Sequence, residues 1–122
     1  MKILVSLLGV LSLLTSCEYH SEEELFGIEL CETDNISFSE IIEPIINNHC
    51  TSCHSGASPS SALRLDSYES IVSSAQNSSA SGMLNRISRA EGEAGAMPTN
   101  YRLAPCEITK ITDWIAQGCL NN

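Results

Sequence analysis

The sequence has few basic residues, few aromatic residues and no long hydrophobic run. Lysine and arginine together number 6 against 15 acidic residues, which gives a formal net charge of −9. Such a surface excludes nucleic-acid binding, which requires a basic face. One tryptophan and two phenylalanines supply little bulk for a core, and no stretch shows a sustained strand pattern. We therefore expect one mostly α domain that needs a disulfide, a metal or another added group for stability.

The longest apolar run, from Ile3 to Leu14, lies at the N-terminus. It is too short to span a bilayer, which needs about 20 residues, and behind Met1-Lys2 it has the form of an export signal. The tetrapeptide Leu14-Thr15-Ser16-Cys17 resembles the lipobox of bacterial lipoproteins. This resemblance implies a signal peptide over residues 1–16, lipid attachment to Cys17, and anchoring at the periplasmic or cell-surface side of a bacterial membrane. An ordinary signal peptide with an incidental cysteine is the alternative.

Helix signals begin after residue 36. Residues 17–36 are acidic and lack periodicity, which predicts a tether, and residues 37–122 form the predicted domain. Ser37 and Glu40 fit a capping box, and Pro44 means that this first helix either starts late or bends there. Three further short helices are predicted: from about Ser67 to Ala75, from Ser81 with Met83, Leu84 and Ile87 on its inner face, and from Pro105 or Cys106 to Gly118.

The first predicted helix ends at Cys50-Thr51-Ser52-Cys53-His54, a complete C-x-x-C-H haem-attachment motif. Two thiols at this spacing can each bond one of the two vinyl groups on a haem edge, and the adjacent imidazole then binds the iron. A zinc site usually needs two separated ligand pairs, and a redox dithiol is expected in a βαβ setting. A Cys50–Cys53 disulfide would close a short, strained loop. The motif therefore favours one covalently bound haem c per chain.

With this motif, the chain resembles small single-haem class I cytochromes c carried as bacterial lipoproteins. The resemblance covers roughly Ile36 to Asn122. It rests on FSEIIEPIINNHCTSCH, ALRLDSYESI, the Met97-Pro98 pair and CEITKITDWIAQG. It implies about four short helices and long loops wrapped around one haem. It also implies an electron carrier rather than an enzyme, with redox proteins as partners.

The same resemblance places the second axial ligand at Met97, with His54 as the first. Met97 lies in an irregular segment that Pro98 stiffens. Met83 is the alternative, but it lies on the apolar face of a predicted helix, where core packing explains it. His49, which is tied to the segment of His54, and His20, in the tether, are poor candidates for the second ligand.

Three cysteines remain after lipid and haem attachment: Cys31, Cys106 and Cys119. The last two flank the predicted final helix and are about 20 Å apart at a rise of about 1.5 Å per residue, which is too far for a disulfide. An internal disulfide must therefore use Cys31, with either of the other two as its partner. Similar cytochromes carry one cysteine before the first helix and another at the start of the last, and this resemblance favours Cys31–Cys106.

Two other functions stay open at this point. A haem protein with an open iron site, acting as an enzyme or gas sensor, would need Met97 to be away from the iron. A structural lipoprotein with zinc or a disulfide would carry no haem. Arg64, Arg86 and Arg102 are candidates to pair with haem propionates. Candidate walls of the haem pocket are Leu63, Leu65, Tyr68, Met83, Leu84, Ile87, Ile111 and Trp114.

Overall fold

The computed structural model describes residues 31–122. The predicted signal peptide, the lipidation site Cys17 and residues 17–30 of the predicted tether, including His20, lie outside these residues. Helices make up 43% of the described part and none of it is in a strand, which confirms the prediction of a mostly α chain there. None of the helices in this part is both long and apolar enough to cross a membrane.

Four α-helices form the frame of residues 31–122. They are α1 (Glu43–His49), α2 (Tyr68–Ala75), α3 (Met83–Ile87) and α4 (Pro105–Ala116). A π-helical turn, Phe38–Ile42, runs directly into α1, and a 3-10 turn, Ser60–Ala62, lies between α1 and α2. The helices are short, so loops make up more than half of this part of the chain.

The π-helical turn explains how the first helix accommodates Pro44. The Ser37 hydroxyl accepts a hydrogen bond from the Glu40 N–H at 3.3 Å, as the predicted cap requires. The Glu43 N–H then bonds the carbonyl of Phe38, five residues back, so that the turn is wider than an α-turn. Pro44 has no N–H to donate and falls in the first turn of α1, where none is needed. The helical segment thus starts at Phe38, before the proline, and the π-helical turn allows Pro44 to lie in the first turn of α1.

The caps of α2 and α3 differ in how well the sequence predicts them. The sequence predicts a helix from about Ser67 but no cap for it, and the Ser67 side chain caps α2 by accepting from the Ser70 N–H at 3.3 Å. The predicted Ser81 cap of α3 is wrong, because the N-cap residue is Gly82. A Cβ at Gly82 would lie 1.7 Å from the Asn77 carbonyl oxygen, so only glycine fits. The Ser81 hydroxyl instead lies 2.8 Å from that of Ser79.

Helix α4 carries the centre of the core. Its Ile111 and Trp114 side chains are fully buried, and the chain turns after the helix at Gly118, whose φ is +95°. The Phe38 ring packs on Trp114 at 5.7 Å between centroids and meets Tyr68 edge-on at 4.9 Å. The three aromatic rings therefore join the π-helical turn, α2 and α4.

The segment before the first helix is attached to α4 and to the residues that follow it. Cys31 forms a disulfide with Cys106, with 5.5 Å between Cα atoms, and this is the pairing that the cytochrome resemblance implies. The Gln117 side chain bonds the backbone of Thr33 and of Ile36 at 2.8 and 3.1 Å. These contacts hold the first helix against the last.

Loss of this disulfide is expected to lower the free energy of unfolding. It closes a loop over a sequence separation of 75 residues, and the chain-entropy model gives about 4 kcal/mol for such a loop. We expect the Cys31→Ser/Cys106→Ser double variant to unfold at lower urea, followed by the fluorescence of Trp114. Reducing agent should shift wild type to the midpoint of the variant and leave the variant unchanged. Equal midpoints for oxidised wild type and variant would contradict the expectation.

Candidate functional site

The Cys50–His54 motif forms a tight turn at the end of α1. The Cys50 N–H closes the helix on the Ile46 carbonyl at 2.8 Å, and the Cys50 carbonyl accepts from the N–H groups of Cys53 and His54 at 3.1 and 2.9 Å. Cys50 is partly buried and Cys53 is exposed, and neither forms a disulfide within the described residues. The turn brings two free thiols and one imidazole to a single end of the helix.

The His54 imidazole is buried and oriented by the backbone. The side chain is 8% exposed, and its Nδ1 lies 3.3 Å from the Leu63 carbonyl oxygen. Because a carbonyl can only accept, Nδ1 carries the proton and Nε2 keeps a lone pair. Among residues 31–122, the hydrogen bond of the ring is the one at Nδ1, and Nε2 has none. It is therefore the nitrogen that can bind a metal.

The loop after His54 is held by short-range hydrogen bonds. Leu65 N–H donates to the His54 carbonyl at 2.7 Å. The Asp66 carboxylate accepts from the Gly56 N–H at 3.2 Å and from the Arg64 guanidinium at 2.6 and 3.1 Å. The hydrogen bond from Arg64 lowers the pKa of Asp66. These contacts bend the chain back so that Leu63 can orient His54.

The two thiols of the motif differ in environment. Burial, with a smaller contribution from the charge of Glu107, raises the pKa of Cys50 to about 11. Cys53 is exposed to solvent. In the chain as described, the Cys50 thiol is therefore the less reactive of the pair at neutral pH.

A polar contact beside Cys50 was not expected from the sequence. His49 Nε2 donates to the Glu107 carboxylate at 3.0 Å, and its Nδ1 lies 2.9 Å from the Tyr101 hydroxyl. Glu107 also accepts from the Ala104 N–H at 2.9 Å, which secures the start of α4. Glu107 could be found from its position in the first turn of a predicted helix, but no local signal joins it to His49.

The two methionines of the described segment lie in different settings. Met83 is buried in the hydrophobic core, which agrees with a packing role. Met97 is partly exposed and lies in the irregular segment between α3 and α4. Its N–H donates to the Arg86 carbonyl at 3.0 Å. Iron ligation by Met97 stays a prediction.

The three arginines that the sequence offers for haem propionates also differ. Arg64 is paired with Asp66 at the surface, and the Arg86 guanidinium donates to the Gly95 carbonyl at 3.0 Å. Arg102 Nη1 is buried and finds no hydrogen-bond partner in the described part of the chain. A buried cationic donor of this kind needs an acceptor, so Arg102 is the best candidate of the three.

The remaining predicted residues lie in or against the hydrophobic core. This holds for all eight candidate walls of the haem pocket: Leu63, Leu65, Tyr68, Met83, Leu84, Ile87, Ile111 and Trp114. Cys119 is a buried thiol that forms no disulfide with another residue of the 31–122 segment, and burial raises its pKa. An open cleft of about 800 Å³, lined by residues of α2 to α4 and their loops, contains none of Cys50, Cys53, His54 and Met97.

Within the same described residues, three or more His, Cys, Asp or Glu side chains do not converge as a metal site. An iron held by one histidine and one methionine has a single ligand of those types. The observation therefore does not bear on a haem.

Comparisons with known proteins leave the identity of the chain open. No protein-family model, curated protein or solved structure matches it. The likeness to class I cytochromes c rests on the residues of this sequence alone.

The different environments of the two thiols can be tested by alkylation. We expect iodoacetamide at pH 8 to label Cys53 well before Cys50 in the chain without haem, because a thiol of pKa about 11 is about one part in a thousand thiolate at that pH. Peptide mass spectrometry measures both rates. Labelling of Cys50 should accelerate about tenfold per pH unit from pH 8 to 10. The difference should vanish in urea, and equal rates in the folded chain would contradict the assignment.

Proposed function

We propose that this chain is an electron carrier of the class I cytochrome c type. One haem would be attached by Cys50 and Cys53, with His54 and Met97 as iron ligands. The observation that carries the proposal is the Cys50–His54 turn, which combines two free thiols with a buried imidazole whose Nε2 has no protein partner among the described residues. A purely structural turn would not need two thiols outside a disulfide together with an imidazole whose Nε2 is unbonded.

The residues of the site fit a covalently bound haem. Each thiol would add across one vinyl group, the sulfur bonding one carbon and the thiol proton passing to the other. The haem when bound supplies an iron that exchanges one electron between its ferric and ferrous states. The unpartnered Nη1 of Arg102 fits the carboxylate of a propionate, which would satisfy it.

His54 supports the proposal through its fixed tautomer. The Leu63 carbonyl holds the proton on Nδ1 and leaves Nε2 as the only nitrogen that can bind iron. The carbonyl partner on Nδ1 makes the imidazole a better donor through Nε2. The loop that supplies Leu63 is itself held by Leu65 and Asp66.

The sequence supports a location and a class of partner for the proposed carrier. Attachment of a c-type haem takes place outside the cytoplasm, which agrees with an export signal and a lipid anchor at Cys17. A lipid-anchored carrier works at a membrane surface, periplasmic or at the cell surface, and exchanges electrons with other redox proteins. The strongly acidic composition favours partners with a basic or mixed contact face.

Absorption spectra of the protein made in a host that attaches c-type haem test the proposal. We expect about one haem per chain that stays bound after denaturation, and none in the Cys50→Ala/Cys53→Ala variant. Met97→Leu should lose the weak long-wavelength band of ferric iron bound by methionine, whereas Met83→Leu should keep it.

Each other result changes the ligand assignment or the function. Loss of the band in Met83→Leu instead would move the ligand to Met83. Attached haem without the band in wild type would favour a second histidine or an open iron site. Absence of attached haem would leave the zinc or disulfide lipoprotein.

The charge of Arg102 should raise the reduction potential. A guanidinium whose Nη1 is buried beside the haem would oppose the extra positive charge of ferric iron. We therefore expect Arg102→Gln to lower the potential by roughly 60 mV, which is about tenfold in the redox equilibrium. Arg64→Gln is the matched control, because the Arg64 charge is already paired with Asp66. A redox titration measures both, and equal potentials in Arg102→Gln and wild type would show that Arg102 does not face the haem.

A further inference from the structure

The segment that carries Met97 has no regular secondary structure of its own. Residues 88–104 between α3 and α4 contain turns and bends, but no helix or strand. An irregular segment opens more easily than a helix or strand, and its opening would move the Met97 sulfur away, unless contacts with other parts of the protein hold the segment. The contacts that hold this segment are therefore part of the ligand site.

Arg86 holds the segment at two points. Its carbonyl accepts from the Met97 N–H at 3.0 Å, and its Nη1 donates to the Gly95 carbonyl, also at 3.0 Å. Arg86 lies in the last turn of α3, whose Met83 and Ile87 are buried in the core. The two bonds thus connect the backbone on either side of residue 96 to a helix that packing keeps in place.

Arg89 extends this contact along the segment. Its guanidinium donates to the Ala94 carbonyl and, at 3.2 Å, to the Ala80 carbonyl. The Asn85 side chain accepts two further bonds from the same group at 2.7 and 3.2 Å. Both arginines of this stretch are therefore occupied in holding backbone carbonyls rather than in surface ion pairs.

Gly95 shows how closely the segment approaches the two arginines. Its φ is +80°, and a Cβ at this position would lie 1.8 Å from Arg86 Nη1 and 2.9 Å from Arg89 Nη1. Gly92 has nearly the same φ, +79°, but a Cβ there would meet nothing within 4 Å. Both glycines therefore have a positive φ of nearly the same size, but only Gly95 lies against the guanidinium groups.

We propose that Arg86 is a positioning residue for Met97. Its side chain and carbonyl hold residues 95 to 97 on α3, so that the Met97 sulfur stays at the iron. This inference rests on the proposed function, because it assumes that Met97 is a ligand. Arg86 touches neither iron nor a reacting atom in this role, and acts only through the segment it holds.

The test uses the full-length protein with its attached haem. The variants are Arg86→Met, Arg86→Lys and Gly95→Ala, with Gly92→Ala as the control for backbone strain. Far-ultraviolet circular dichroism checks that each variant is folded. Two readouts follow: the methionine–iron absorption band of the ferric protein, and the rate at which added imidazole replaces the sulfur.

We expect imidazole to bind about tenfold or more faster to Arg86→Met and to Gly95→Ala, because each loses a charge-assisted hydrogen bond that holds the segment. Both should also show faster amide exchange at residues 94–97. Arg86→Lys, which keeps a cationic donor, should lie between wild type and Arg86→Met. The Gly92→Ala control should stay within about twofold of wild type, since it brings similar backbone strain without touching the arginines.

Failure of the inference and failure of the proposed function give different results. If wild type carries haem with the Met97 band, and Arg86→Met and Gly95→Ala match it in band and imidazole rate, the positioning role is overturned and the cytochrome proposal stands. The same holds if Gly92→Ala accelerates as much as Gly95→Ala, because the effect then comes from backbone strain. If wild type carries no attached haem, both are overturned. If Met97→Leu keeps the band, the positioning role is overturned and the ligand moves from Met97, while covalent haem attachment stands.

Discussion

The contact between Phe38 and Trp114 determines where the first and last helices of the domain meet. Phe38 lies in the π-helical turn and Trp114 is fully buried in α4, so the start of the first helix is packed on the end of the last. The C-terminal end of α1 then falls beside the first turn of α4. There His49 reaches Glu107, and the Cys50–His54 turn begins one residue later. The position of the motif therefore depends on packing at the opposite end of its helix.

The arrangement around His54 is made by hydrogen bonds rather than by extra core. The residues from 55 to 67 contain only one 3-10 turn, and they bury little apolar surface apart from Leu65. Their order comes from backbone groups: the Leu65 N–H on the His54 carbonyl, the Leu63 carbonyl on Nδ1, and Asp66 on Gly56. Such bonds are directional, so they set the orientation of an imidazole better than nonpolar contacts would. The orientation of His54 therefore does not depend on the small hydrophobic core alone.

Features that depend on neighbouring residues could be predicted from the sequence, and features that depend on distant ones could not. The Ser37 cap, the start of α2 near Ser67, the bounds of α4 and the turn character of residues 88–104 follow from local patterns. The Gly82 cap was missed because it depends on how closely the Asn77 carbonyl approaches. The contacts of His49 with Tyr101 and Glu107 join residues 52 and 58 positions apart, and no spacing rule spans that distance. The cysteine and histidine chemistry of the candidate site is local and was visible, whereas its polar surroundings were not.

The two sides of the proposed iron site therefore differ in how they are held. On the His54 side, all the orienting groups lie within twelve residues of the histidine, so this half can form as soon as its own loop closes. On the Met97 side, Arg86 and Arg89 hold one end of the segment, and the other end reaches His49 through Tyr101. That half requires α1, α3 and the loop to be assembled together. Because Met97 is partly exposed whereas His54 is buried, the Met97 segment should open at lower free energy than the His54 loop. For the proposed carrier, this difference means that the Met97 ligand would be lost before the His54 ligand.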